Sequence, residues 1–231
     1  MRIVISRRPV RAGCLATAVA GLLCLGATGC TGDKDEKVAA ADKDVAGTQL
    51  CGGHAVSAEA SKALKVIMGS SQFGTTGEKS TVAQAARDVV EAGQYSRRTD
   101  GRDDVCRIYT ADDTSNFALR VTWGLESGPP TKTPAPDFTV LKMGEQTLAA
   151  ANRATVRFGC RSDNFTGSPD ATHVAVGVEH WGMPTEPDGD EVEALKDAYA
   201  TVAHSFALAM AKELGCEKDG GLPARPVLEP A

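Results

Sequence analysis

Apolar and polar positions alternate along NFALRVTW: Phe117, Leu119, Val121 and Trp123 share one side, Ala118, Arg120 and Thr122 the other. A period of two marks a strand with one buried face. VCRIYT repeats it, with Cys106 and Ile108 opposite Arg107. ATVRFGC sets Val156, Phe158 and Cys160 against Thr155 and Arg157, and THVAVGVEHW groups Val174, Val176 and Val178. Elsewhere the period lengthens to that of a helix. Ala60, Ala63, Leu64, Ile67 and Met68 follow Ser57 as a cap and precede Gly69 as a stop. Val82, Ala85, Ala86 and Val89 keep the same spacing from Ser80 to Gly93. Val192, Leu195, Tyr199, Val202, Phe206 and Met210 predict a long helix from Asp190 to Gly215. No strand–helix–strand alternation lies between 104 and 181, so the sheet should be mainly antiparallel. The expected fold class is α+β. It is a two-layer sandwich, its sheet covered on one face by N-terminal helices and a long C-terminal helix. The other face should be more open to water. Proline and glycine density predicts long loops at GPPTKTPAPD and GMPTEPDGD, and CRSDNFTGSPDA should be a hairpin loop.

The chain begins differently. Its first 29 residues hold four arginines, Arg2, Arg7, Arg8 and Arg11, and no acid. An apolar stretch from Cys14 to Leu25 follows, then the small residues Gly26 to Gly29, then Cys30. A basic start, a short apolar core and a small-residue end are the three parts of an export signal. A membrane-spanning anchor from Ala12 to Cys30 is the alternative, at the lower limit of spanning length. SRRPVR resembles a twin-arginine signal, with an arginine-rich general signal as the other route. Residues 30–50, rich in Asp, Lys, Ala, Thr and Gly and without an aromatic, should form a flexible tether. Residues 51–222 are one domain's length, and the proline-rich tail 223–231 is expected to be disordered.

Cys14 and Cys24 fall within the export signal, and Cys30 stands at its end. Four cysteines remain, Cys51, Cys106, Cys160 and Cys216, some 55 residues apart. An even number in an oxidising compartment reads as two disulfides, and such wide spacing does not suit a zinc site. Cys106 and Cys160 point inward from strands; Cys51 precedes the first helix and Cys216 follows the last. That order favours Cys51–Cys106 with Cys160–Cys216, and leaves Cys51–Cys160 with Cys106–Cys216 as the alternative.

Charge narrows the partners. Taking the four leading arginines from 25 basic residues leaves 21 against 30 acidic ones, a net charge near −9. That balance argues against a nucleic-acid partner.

Ala27-Thr28-Gly29-Cys30 resembles the lipobox of bacterial lipoproteins, with Ala27 where leucine is commonest. The resemblance implies cleavage between Gly29 and Cys30, fatty acylation of Cys30, and a partner in membrane lipid. Together with the acidic tether, LCGG before the first helix, VCRIY and FGC, it makes the chain similar to uncharacterised actinobacterial surface lipoproteins. A more distant likeness is to the disulfide-stapled extracellular sensor domains of actinobacterial receptor kinases. Both imply an envelope domain on the outer face of the cytoplasmic membrane, with no catalytic residue to carry over.

Candidate chemistry is sparse. His173 and His180 sit seven apart on one predicted strand and so face opposite sides. His204 is predicted to face solvent, and His54 a loop. No nucleophile elbow, zincin motif, P-loop or dinucleotide fingerprint is present. The acid pairs Asp103-Asp104 and Asp112-Asp113 read as solvated turns, and Trp123 and Trp181 as packing residues. Arg107, Arg120 and Arg157, with Thr155, are expected on the outward sheet face. There they could receive an anionic ligand or a partner, or simply keep that face wet. No catalytic residue, metal or cofactor is expected. The leading expectation is a non-catalytic binding or sensor lipoprotein; the alternatives are an envelope hydrolase or transferase, and a structural subunit.

Overall fold

The computed structural model describes residues 44–75, 81–94, 103–110, 113–165, 170–181 and 191–231. Gly29, Cys30, the tether up to residue 43, Ser80, Asp112, Thr166 and the GMPTEPDGD loop lie outside the described residues. The strands are β1 (Val45–Ala46), β2 (Gln72–Thr75), β3 (Asp103–Thr110), β4 (Asp113–Glu126), β5 (Thr139–Leu141), β6 (Gln146–Ala150), β7 (Arg153–Cys160) and β8 (Thr172–Trp181). They form one sheet in the order β1-β2-β3-β4-β8-β7-β6-β5, and each neighbouring pair is antiparallel. The chain leaves β4 at the middle of the sheet, restarts at the far edge, and returns by successive hairpins until β8 closes against β4.

Three helices cover one face: α1 (Ala58–Met68), α2 (Val82–Gln94) and α3 (Glu191–Glu213). Ser57 caps α1 by accepting the Ala60 N–H at 3.1 Å, and Gly69 ends it at φ +70°. Thr81 caps α2, accepting the Gln84 N–H at 3.1 Å. Past α3, Gly215 takes φ +67°, and the Cys216 and Gly215 amides return to the carbonyls of Ala211 and Lys212. That paired closure satisfies carbonyls the helix end would otherwise leave bare. The inward sheet residues Ile108, Leu119, Val121, Val156, Phe158, Val174, Val176 and Val178 are fully buried beneath the helices. The α+β class and the covered face agree with the sequence reading.

The disulfides are Cys51–Cys106 and Cys160–Cys216, with Cα–Cα distances of 6.0 and 4.9 Å. Each ties a helix flank to an inward strand cysteine.

Three expectations need correction. His204 does not face solvent; it is 2% exposed. The amphipathic pattern treats a helix as having one wet side, but α3 packs on β6, β7 and β8 and also against α1. The domain starts at β1, before Cys51: Val45 pairs with Phe73, and Leu50 is fully buried. The tail at 223–231 is held on the domain rather than disordered. His204 Nε2 donates to the Pro223 carbonyl at 2.8 Å, and the Val227 amide reaches Met143 Sδ at 3.1 Å. Pro230 bridges Leu141, and the Ala231 amide donates to Val140 O at 2.9 Å. Proline lacks a donor, but a strand-edge contact needs few, and β5 is an edge that gains a cover.

Candidate functional site at one end of the sheet

Arg107, Arg120 and Arg157 do share the outer face. Register sets Arg107 beside Arg120, Arg120 beside Glu179, and Arg157 beside Gln146 and Ala175. Each meets a carboxylate. Asp104 holds both Arg107, at 2.9 Å, and Arg120; Glu179 adds a contact to Arg120 at 3.3 Å. Partial burial works against the Arg120 charge, but Asp104 and Glu179 outweigh it and hold its pKa above the ordinary value. Arg157 lies 3.4 Å from Glu126 and donates to Gln146 at 2.9 Å. An anion approaching this face must therefore displace a carboxylate already in place. Between the charged rows the centre is small-chained and less open to water than expected. Ala175 is 1% exposed, and Thr122 is fully buried with no hydrogen-bond partner for Oγ1 among the described residues.

The β4–β5 connection, residues 127–138, holds Pro129, Pro130, Pro134 and Pro136 and crosses the outer face. Asp137 pairs with Arg153 at 2.8 Å, and the Arg153 guanidinium stands 4.7 Å over the Phe138 ring. Nearer β4 the connection and Leu148 border a cleft of about 580 Å³.

A larger cleft, about 840 Å³, opens where β4 ends and β8 begins. Leu125, Glu126, Glu145, Arg161, Asp170 and His173 line it, with the end of α2 beside them. A carboxylate–imidazole pair in it was missed in the sequence. Glu145 follows Gly144, which turns at φ +58°, and its amide donates to Arg157 O at 2.8 Å. Both carboxylate oxygens then lie 2.9 Å from His173 Nδ1. A carboxylate only accepts, so Nδ1 is the donor and Nε2 is left pointing away from Glu145. Gly159 makes room: a Cβ there would stand 2.7 Å from Glu145 Oε1. A glycine inside a strand signals such a close approach, so FGC held the one available clue.

Arg161 follows disulfide-bonded Cys160, and its carbonyl accepts the Glu217 amide at 2.8 Å. Ser162 Oγ and Asn164 Nδ2 both donate to Leu214 O, at 2.6 and 3.0 Å. The wall carrying Arg161 is thus fastened to the end of α3. Two further depressions, of about 410 and 290 Å³, also have Arg161 in their lining.

The other singled-out residues do not converge here. His180 faces the opposite side of β8 from His173, and burial lowers its pKa. His204 lies beneath the tail and His54 is exposed. Trp123 is a core residue, 2% exposed, with no hydrogen-bond partner for Nε1 among the described residues; the Trp181 side chain lies outside them. No hydroxyl or thiol is bonded to His173 among the described residues. Nor does any group of three His, Cys, Asp or Glu side chains there suit a metal.

Fold and site define a disulfide-stapled α+β domain with an open, charge-lined cleft at one end of its sheet. Comparison with protein-family profiles, curated proteins and solved structures finds no match to this chain.

Proposed function

We propose that this is an exported lipoprotein, anchored by acylated Cys30 on the outer face of the cytoplasmic membrane, whose domain binds or senses an envelope component without catalysis. The observation that carries the binding reading is the cleft: large, open, and walled by side chains fixed by a disulfide and by strand register. Export is supported by two disulfides that each close a loop of about 55 residues, a bond type rare in reducing compartments. Among the described residues no helix is long and apolar enough to cross a membrane. Photocrosslinking from the cleft in intact cells, followed by mass spectrometry, tests the binding reading. It should capture an envelope component, and crosslinks no different from those of a site on the far face would refute it.

A second reading rests on one observation. An imidazole oriented by a carboxylate in a cleft is the arrangement of a general base, which fits an envelope hydrolase or transferase. Were that so, His173→Ala would abolish turnover of a cell-wall substrate while leaving ligand capture intact.

A further inference from the structure

We infer that the cleft takes a small zwitterion of the amino-acid or short-peptide class, its carboxylate on Arg161 and its ammonium on the acidic wall. The inference rests on the binding reading above and names the ligand for it. The outer-face arginines each have a carboxylate within ion-pair distance. Arg161, at the sheet end, has neither an ion pair nor a side-chain hydrogen bond among the described residues. Its backbone is fixed by the Cys160–Cys216 bond and by the Glu217 amide, so the side chain projects from a rigid base. A guanidinium with an unused planar fork matches a carboxylate in two parallel hydrogen bonds.

The surroundings set the rest of the ligand. Arg161 lines three adjoining depressions, and Glu145, Asp170 and Glu217 each line two of them with it. None of these acids comes within ion-pair distance of Arg161, although Glu145 is bonded to His173 and Asp170 has a partner of its own. A simple anion on Arg161 would face three carboxylates; a simple cation among those carboxylates would face the guanidinium. A compact molecule carrying both charges satisfies both walls. Leu125 and the end of α2 give the cleft an apolar side for a small side chain. The cleft volume, about 840 Å³, lies within the range that holds small ligands.

Calorimetry on the full chain in detergent tests this with four probes: alanine, dialanine, dialanine amide and N-acetyl-dialanine. Saturable binding of alanine or dialanine is expected, and which of the two binds tells a free amino acid from a peptide. Amidation and acetylation should each weaken binding about tenfold or more, the worth of one charge-assisted contact. Arg161→Met should do the same, while Arg153→Met, on the outer face, should not. Because Arg161 is exposed, its replacement should leave the unfolding temperature unchanged, which separates a lost contact from a lost fold. No saturable heat from either zwitterion at millimolar concentration overturns the ligand class, as do blocked forms that bind equally well. Neither result touches the crosslinking test of the binding reading.

Discussion

Replacing Cys160 and Cys216 together by alanine removes a bond between residues 56 apart in sequence. On the chain-entropy account, releasing a loop of that length costs about 4 kcal/mol at room temperature. Each kcal/mol shifts the midpoint of a domain this size by about 2–4 °C, so the loss predicts a fall of about 8–16 °C. Both sulfurs are buried, Cys160 1% and Cys216 8% exposed, so the void they leave adds to this loss rather than offsetting it. Scanning calorimetry at constant pH gives the midpoint and the enthalpy together. The other bond, between residues 55 apart, provides the internal control. Nearly equal loops predict nearly equal losses, so Cys51→Ala with Cys106→Ala should match the first pair. A fall below about 3 °C for either pair would refute the reasoning, since it would mean the unfolded chain gains almost no freedom. A large difference between the two pairs would place the stabilisation in the native contacts around one bond instead.

Two glycines beside the cleft should respond differently to alanine. At Gly159 the new Cβ stands 2.7 Å from Glu145 Oε1 and 3.4 Å from Ala171 Cβ; the carboxylate can turn aside only by leaving His173, so stability should change little while the His173 imidazole resonances in NMR move. At Gly144 it runs into Arg157 O with φ at +58°, and calorimetry should register a loss of about 1–3 kcal/mol. Burial holds the His204 pKa below its ordinary 6.5, against the Pro223 carbonyl and Glu59, which favour the charged form. The unfolded chain therefore binds the proton first. Stability is full above pH 6.5 and is lost as pH falls through the folded pKa, and His204→Gln should flatten that slope in urea titrations at several pH values. Ser205 Oγ donates to Ala55 O and accepts the Ser57 amide, both at 2.9 Å, joining α3 to the start of α1. Ser205→Ala should cost about 1–3 kcal/mol by urea unfolding, because it leaves buried backbone groups unpaired.

Local period carried most of the fold. The alternation at Leu119–Trp123 and at Val156–Cys160, and the helical spacing from Ala60 to Met68, place the same side chains inward in sequence and structure. Cysteine positions relative to those elements sufficed to choose between pairings. What failed was whatever depended on a second layer of packing. His204 sits on the polar side of a helix by its own pattern, yet α1 and the tail close over that side. The tail reads as disordered because its prolines make no regular element, but β5 offers a bare edge that nothing local announces. The site was less legible still. Glu145 and His173 are 28 residues apart and meet only because β6, β7 and β8 return in register. The outward arginines were placed correctly by alternation, whereas their pairing with Asp104, Glu179 and Glu126 depends on neighbours set by strand order.

Every functional statement above depends on the chain crossing a membrane and staying attached to it by a lipid. Feeding cells an alkyne-bearing fatty acid, capturing this protein and reading the label measures that directly. The wild-type chain should carry the label and a Cys30→Ala variant should not. An unlabelled wild-type chain, or equal labelling of the variant, would contradict the account.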